Sequence, residues 1–307
     1  MIKLMTVFMV KLMFKRPLLQ TLCLTSPGLI SPRLVILHAL ASLPLLLSSL
    51  PLTASEMTAR QVMERADTVA DGQTRVADYT MVLIDRRDRQ RSRELTIYAK
   101  DFDADTRTNT STLSVFESPA DIAGTAYLNH DWQDPDRDDD SWLYLPAMQR
   151  VRRIASSDTS DSFMGSDFTY ADINGIEINW FDYRFISESE EVDGYDCWVI
   201  EATPREQMKA KAEDATGYSR LQVWIRKDNF IQARAQAWEL RGNRIKYFTA
   251  SDIRQVQGIW TTHRQQAITT RNGRQEHASV LQLNNIEYNT PVADDYFSPD
   301  SLQRGVN

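Results

Sequence analysis

Apolar residues recur at helical spacing over one short stretch, residues 56–70 (EMTARQVMERADTVA), where Val62, Met63, Ala66, Val69 and Ala70 fall on a single stripe. Thr58 with Gln61 three residues on reads as a capping box, and Gly72 as a stop signal, so the spacing predicts one amphipathic helix. Beyond it the period drops to two. Tyr79-Met81-Leu83, Leu95-Ile97-Ala99, Leu221-Val223-Ile225 and Ile231-Ala233-Ala235-Ala237 each alternate with polar neighbours, which is the pattern of half-buried strands. Turn chemistry separates the segments: Asp193-Gly194, Arg241-Gly242-Asn243, Gln257-Gly258 and Asn272-Gly273, the last well suited to the two positive φ angles of a type I′ hairpin. Residues 181–288 read as an antiparallel meander of about seven strands, with about four or five more ahead of it.

Strict alternation gives a sheet one apolar and one wetted face, and a sheet of ten or more strands must curl or close. The remaining helical material is scant: 56–70, residues 205–214 (REQMKAKAED) and short turns at 158–175. Two architectures satisfy this pattern, a well-filled barrel or sandwich and a curved sheet with an apolar hollow that a few helices cover.

The N-terminus changes where this fold must work. Residues 1–33 carry Lys3, Lys11, Lys15, Arg16 and Arg33 and no acid, an apolar run follows at 34–48, and small residues follow at 51–54. This order is that of a secretory signal peptide, and Pro44 and the modest length argue against a spanning helix. We therefore expect a signal peptide at 1–54, an exported domain at 55–307 and a periplasmic location. The 35 Lys and Arg against 42 Asp and Glu give −7; without 1–54 the balance is 30 against 42, or −12. That charge disfavours nucleic acid as a partner. Cys197 is the one cysteine left, so no intrachain disulfide is available to the exported chain.

Candidate chemistry is thin. His130, His263 and His277 are the histidines beyond 54. With a two-residue turn at Asn272-Gly273, His277 faces Ile268 and His263 faces Gln282, on the order of 16 Å apart at the usual strand rise. The acidic run 134–140 resembles the start of a calcium loop but lacks its glycine and has Leu145 where the bidentate glutamate belongs, so it reads as a solvated loop. Cys197, within a strand-like Tyr-Asp-Cys-Trp-Val-Ile, reads as a small buried hydrophobe, and no Gly-x-Ser-x-Gly elbow is present. The inventory favours a non-enzymatic protein with no cofactor and no metal.

The stretch 141–154 (SWLYLPAMQRVRRI) sets an apolar strand beside an arginine cluster across Pro146. With an even loop Leu143 and Leu145 share a face with Arg150 and Arg152, and Trp142 and Tyr144 with Val151 and Arg153; with an odd loop the arginine sets exchange. Either way each face mixes apolar bulk with a guanidinium. The arginines then either meet the polar end of an amphiphile or pair with the acidic run, Asp158 and Asp161. Residues 162–173 carry Phe163, Met164, Phe168, Tyr170 and Ile173 without a sustained period, either as a core-capping loop or as a lid pivoting at Gly165.

Trp142-Leu-Tyr-Leu-Pro, Arg150-Val-Arg-Arg-Ile and the segment 162–170 (SFMGSDFTY) resemble the signature block of the outer-membrane lipoprotein-sorting proteins, a branch of the LolA/LolB-like periplasmic carriers, and the closing 295–302 resembles theirs as well. The resemblance implies a mainly β fold, an incomplete (half-open) antiparallel β-barrel of about eleven strands with a few covering helices. It implies a monomeric carrier or chaperone that shields lipid or lipoprotein acyl chains for transfer between inner and outer membrane. It also implies an RND/MMPL-type inner-membrane transporter as donor, with the outer-membrane acceptor undefined. A periplasmic lipid-responsive sensor or interaction module is the alternative. Under the carrier reading Met81, Leu83, Leu95, Ile97, Leu113, Val115, Leu143, Leu145, Leu221, Val223 and Ile225 are expected to line the hollow. Arg150, Arg152 and Arg153 are expected at the polar end or a partner surface, and Phe163, Met164, Phe168 and Tyr170 in the lid.

Overall fold

The computed structural model describes residues 57–102, 108–132, 134 and 137–304; the expected signal peptide lies outside them, as do two residues of the acidic run. The predicted helix forms as α1 (Ala59–Asp67), with both hydrogen bonds of the Thr58–Gln61 capping box in place and Val62, Met63 and Ala66 buried. Strands β1 (Thr74–Ile84), β2 (Gln90–Asp101), β3 (Thr108–Ser118), β4 (Ala126–Trp132), β5 (Asp140–Leu145) and β6 (Arg150–Ile154) follow. After the short helix α2 (Tyr170–Asn174) come β7 (Phe181–Val192) and β8 (Tyr195–Pro204). Helix α3 (Lys209–Thr216) leads into β9 (Tyr218–Arg226), β10 (Gln232–Glu239), β11 (Arg244–Val256), β12 (Ile259–Arg271) and β13 (Arg274–Tyr288), and α4 (Ser301–Arg304) closes the described chain.

All thirteen strands join one antiparallel sheet in the order β6-β5-β4-β3-β2-β1-β13-β12-β11-β10-β9-β8-β7, open between the β6 and β7 edges. The meander over 181–288 has its seven strands; six precede it, so the sheet holds thirteen strands where about eleven were expected. The strand that periodicity misses is β4. Its Tyr127 packs with the covering loop on one face, while Ala126 and Leu128 pack against the C-terminal segment on the other, so no alternation is left to read.

The hairpins follow their turn residues. Asn272 (φ 49°) and Gly273 (φ 73°) make the two-residue turn that closes Arg271 onto Arg274, as the sequence predicts. One rung later the register slips by a residue at Thr269/Thr270, so His277 pairs with Thr269 rather than with Ile268. This bulge corrects the expected register, and it puts Arg264, not His263, opposite Gln282.

The two faces are covered differently. The inner face shares one core with α1, residues 163–178 and α3. The outer face of β2–β6 shares a smaller core with Val292, Phe297 and Leu302, and Tyr296 stacks edge-on against Tyr98. The inner face is curled. Phe163 meets Tyr127 of β4 at 5.5 Å and Phe168 meets Phe248 of β11 at 6.1 Å, although the Phe163 amide donates to the Phe168 carbonyl over 2.7 Å. Strands β4 and β11 are six spacings apart, roughly 29 Å in a flat sheet. One tight loop touches both only because the sheet wraps around it.

Candidate functional site

Cross-strand register sorts the expected lining residues. Met81, Leu95, Ile97, Leu143, Leu221, Val223 and Ile225 belong to the inner core, with Leu83 and Leu145 half-buried against it. Leu113 and Val115 do not join them. A register shift at Glu94/Leu95 aligns Phe116 with Leu95 and Ser114 with Ile97, which turns Leu113 and Val115 to the outer face beside Leu128 and Ala126. Phe116 takes the inner place that odd-numbered alternation assigned to its neighbours.

The hollow these strands form is filled by the chain itself. Residues 162–169 make a tight loop, closed by a Ser162–Thr169 bridge and turned at Met164 (φ 51°) and Gly165 (φ 73°). Phe163 and Phe168 point inward at 1 % exposure each, and Tyr170 stacks on both Phe163 and Tyr127. Met164 is half-buried at the tip, where its carbonyl accepts from the Arg93 guanidinium. The loop is a plug with an aromatic inner side.

Two buried carboxylates fasten it. The Asp167 carboxylate accepts from Thr269 Oγ1 at 2.5 Å, Ser279 Oγ at 2.7 Å and His277 Nδ1, and its backbone amide donates to Ser279 Oγ at 2.9 Å. The hydrogen bond to Asp167 holds the His277 imidazole above its ordinary pKa, against partial burial. Five residues on, the Asp172 carboxylate accepts from Tyr218 Oη at 2.8 and 2.9 Å and completes the α2 capping box with Thr169. Burial pushes Asp172 up, while Lys246 and these hydrogen bonds pull it down. Neither aspartate stands out in the sequence. The signal was available in SDFTYAD, where two acids flank aromatic residues in a segment too apolar to be a surface loop.

The arginine hairpin takes the even register: Leu145 pairs with Arg150, Leu143 with Arg152 and Trp142 with Arg153. Two of the arginines meet acids of the same chain, Arg153 with Asp140 and Arg152 with Asp158 at 3.4 Å. Asp140 also pairs with Arg137 at 2.9 Å, and Arg137 lies 3.4 Å over the Trp132 ring. The guanidinium groups of Arg152 and Arg153 remain largely exposed.

At the strand ends beside the plug opens a polar cleft of about 1220 Å³. Gly165, Asp167, Lys246 and His277 are among its lining residues. Elsewhere Asp131, Asp139 and Glu177 bring carboxylate oxygens within 4.8 Å of one another, a set of hard oxygen donors suited to a divalent cation. The acidic run thus reaches Glu177 through Asp139, which a solvated loop does not anticipate. Cys197 is fully buried, and burial raises its thiol to about 11. His263 is buried on a backbone carbonyl, that of Asp252, at 3.0 Å.

A family model described only as an uncharacterized protein matches residues 108–304. A DUF1329 family protein from Desulfovibrio piger, known from its crystal structure, is 31% identical over 80% of this chain and 97% of its own, with a TM-score of 0.70. The chain belongs to the DUF1329 family. A Vibrio parahaemolyticus domain described as an outer membrane lipoprotein-sorting protein shares the fold, with TM-score 0.69 at 24% identity, over 80% of this chain and 98% of its own. A LolA superfamily protein from Nitrosomonas europaea follows at TM-score 0.59 and 17% identity, over 80% and 99%. The LolA-like fold implied by residues 142–170 is thereby borne out. No curated protein sequence matches the chain. Among the described residues no helix is long and apolar enough to cross a membrane.

Proposed function

We propose that this chain is a periplasmic carrier that shields acyl chains of a lipid or lipoprotein in its curled sheet and passes them between the inner and outer membrane. The observation that carries this reading is the plug. Its two phenyl rings occupy the hollow, while the loop that bears them is fastened by polar bonds to side chains of β12 and β13. Burying a phenylalanine is worth about 1.5–3 kcal/mol and a methylene about 0.8 kcal/mol, so the two rings match roughly six methylenes. A long acyl chain exceeds that and can take their place. The closed form then keeps the empty carrier from exposing an apolar surface, and the loaded form stores the cargo where the rings were.

The function is binding and transfer rather than a reaction. The LolA-like fold and the lipoprotein-sorting description of the Vibrio relative support it. An RND/MMPL-type transporter as donor fits the resemblance in residues 142–170, and the exposed Arg152 and Arg153 suit an acidic partner or headgroup.

Native mass spectrometry and lipid extraction of gently purified protein test the reading, together with uptake of a fluorescent fatty acid. Co-purifying lipid or saturable uptake supports it. Persistent absence of both would sink it.

A further inference from the structure

The cleft beside the plug holds an ammonium group without a hydrogen-bond acceptor. Lys246 is 6% exposed and lies on the inner face of β11, where it pairs with Thr269 across β12. Its Nζ is 3.6 Å from Glu239 and 3.9 Å from Asp172, ion-pair distances longer than a hydrogen bond, and it makes no hydrogen bond among the described residues. An ammonium has three donors to satisfy, and this one, on a largely buried side chain, lines the cleft. Five further basic side chains line the same space: Arg89, paired with Asp85, Arg244, paired with Glu276, Arg241, His277 and Arg91. His277 sits next in the cross-strand row, opposite Thr269, with Nδ1 committed to Asp167 and Nε2 without a hydrogen bond. Arg91 pairs across β1 with Leu83, is exposed, and has no ion pair among the described residues. Acids reach the cleft as well: Asp161 and Asp167 from the loop, Glu213 and Asp214 from α3, Asp85 past the end of β1 and Glu239 at the end of β10. Lys246, His277 and Arg91 stand on sheet strands, and of these Arg91 has no acid paired to it among the described residues.

We propose that this cleft is a headgroup site that takes the anionic group, phosphate or carboxylate, of an amphiphile. Lys246 binds it at the floor, with His277 and Arg91 at the rim. The tail then runs past Gly165 and Asp167 into the hollow in place of the plug rings. The proposal rests on the carrier reading and adds to it the entrance and the class of cargo.

The test uses the purified chain with cis-parinaric acid, its methyl ester and inorganic phosphate as probes. Acid and ester share a tail and differ only in the anion. The acid is expected to bind about ten-fold more tightly than the ester, the worth of one charge-assisted hydrogen bond. Lys246→Gln and Arg91→Gln should each erase most of that difference, and Lys246→Arg should keep it. Because Lys246 is buried near Asp172, Arg91→Gln at an exposed position keeps the test valid if Lys246→Gln fails to fold. Equal binding of acid and ester by the wild-type chain would overturn the headgroup site and leave the carrier reading standing. Equal loss of both probes in the variants would assign these residues to packing and overturn it too. No binding of the ester or the acid would overturn both. Inorganic phosphate binding as tightly as the acid would identify a free-anion site and overturn the amphiphile assignment, whereas weak competition by phosphate against the acid supports it.

Discussion

At the scale of single residues, Asp167 decides whether the plug is seated. It is 3% exposed, and its carboxylate accepts from three side chains on two strands. Replacing it by Asn leaves the volume but removes the charge and turns one acceptor into a donor facing donors. Asp167→Asn should cost about 1.5–3 kcal/mol, the range for hydrogen bonds to a charged group, read from the urea midpoint. The partner His277 adds a pH dependence of fixed sign. Its pKa is raised in the folded chain by the bond to Asp167, so its contribution is complete below the ordinary value of 6.5 and is lost as pH rises through the folded value. Stability measured from about pH 6 to about pH 9 should therefore fall, and His277→Ala should flatten that part of the profile. A wild-type profile that rises over this interval would show that the imidazole does not hold the plug as a cation.

At the scale of elements, the plug behaves as a piece of core that is not part of the sheet. Phe163 and Phe168 contact rings from β3, β4 and β11, so truncating either should cost about 3–5 kcal/mol, the usual range for a buried phenylalanine. The same change should also speed uptake of a fluorescent fatty acid, because the ring no longer competes for the space. Stability loss without faster uptake would make these residues ordinary core. The elements themselves were unevenly legible. Helix α1 and the strands of 181–288 follow from period and turn residues because each has one wetted face. Strand β4 has none, and the bulges that turn Leu113 outward and set His277 opposite Thr269 leave no mark on composition. The site suffers most from this. Its inner lining alternates and can be read, apart from one register slip, but Asp167, Asp172 and Lys246 acquire their roles only when residues on separate strands and loops meet. Lys246 in particular sits among polar residues in Arg-Gly-Asn-Arg-Ile-Lys, where it looks like any surface lysine.

At the scale of the whole molecule, the sheet and the plug divide the work. The thirteen-stranded ladder is continuous from β6 to β7, and its central strands are paired on both sides, so they are expected at the high-stability end of the molecule. Among the described residues the plug is tied to it through sheet side chains only: those that meet the Asp167 carboxylate and amide, the Arg93 guanidinium at Met164 and, just beyond the loop, Tyr218 at Asp172. Its own backbone bonds, such as Phe163 to Phe168 and Ser166 to Phe163, close within the loop and survive a movement of the loop as a unit. Under the proposed carrier function, loading would exchange this one element while the sheet stays fixed. Hydrogen exchange can separate the two. In the free chain, the Asp167 amide, which donates to Ser279 Oγ, should exchange through a local opening, well ahead of the β11–β13 amides. Addition of a long-chain fatty acid should raise exchange at 166–168 and leave the strands unchanged, because the ligand displaces the rings and frees the anchor. If protection at Asp167 instead increased with ligand, the acyl chain would be packing beside a seated plug, and the hollow would be an addition to the core rather than a site shared between plug and cargo.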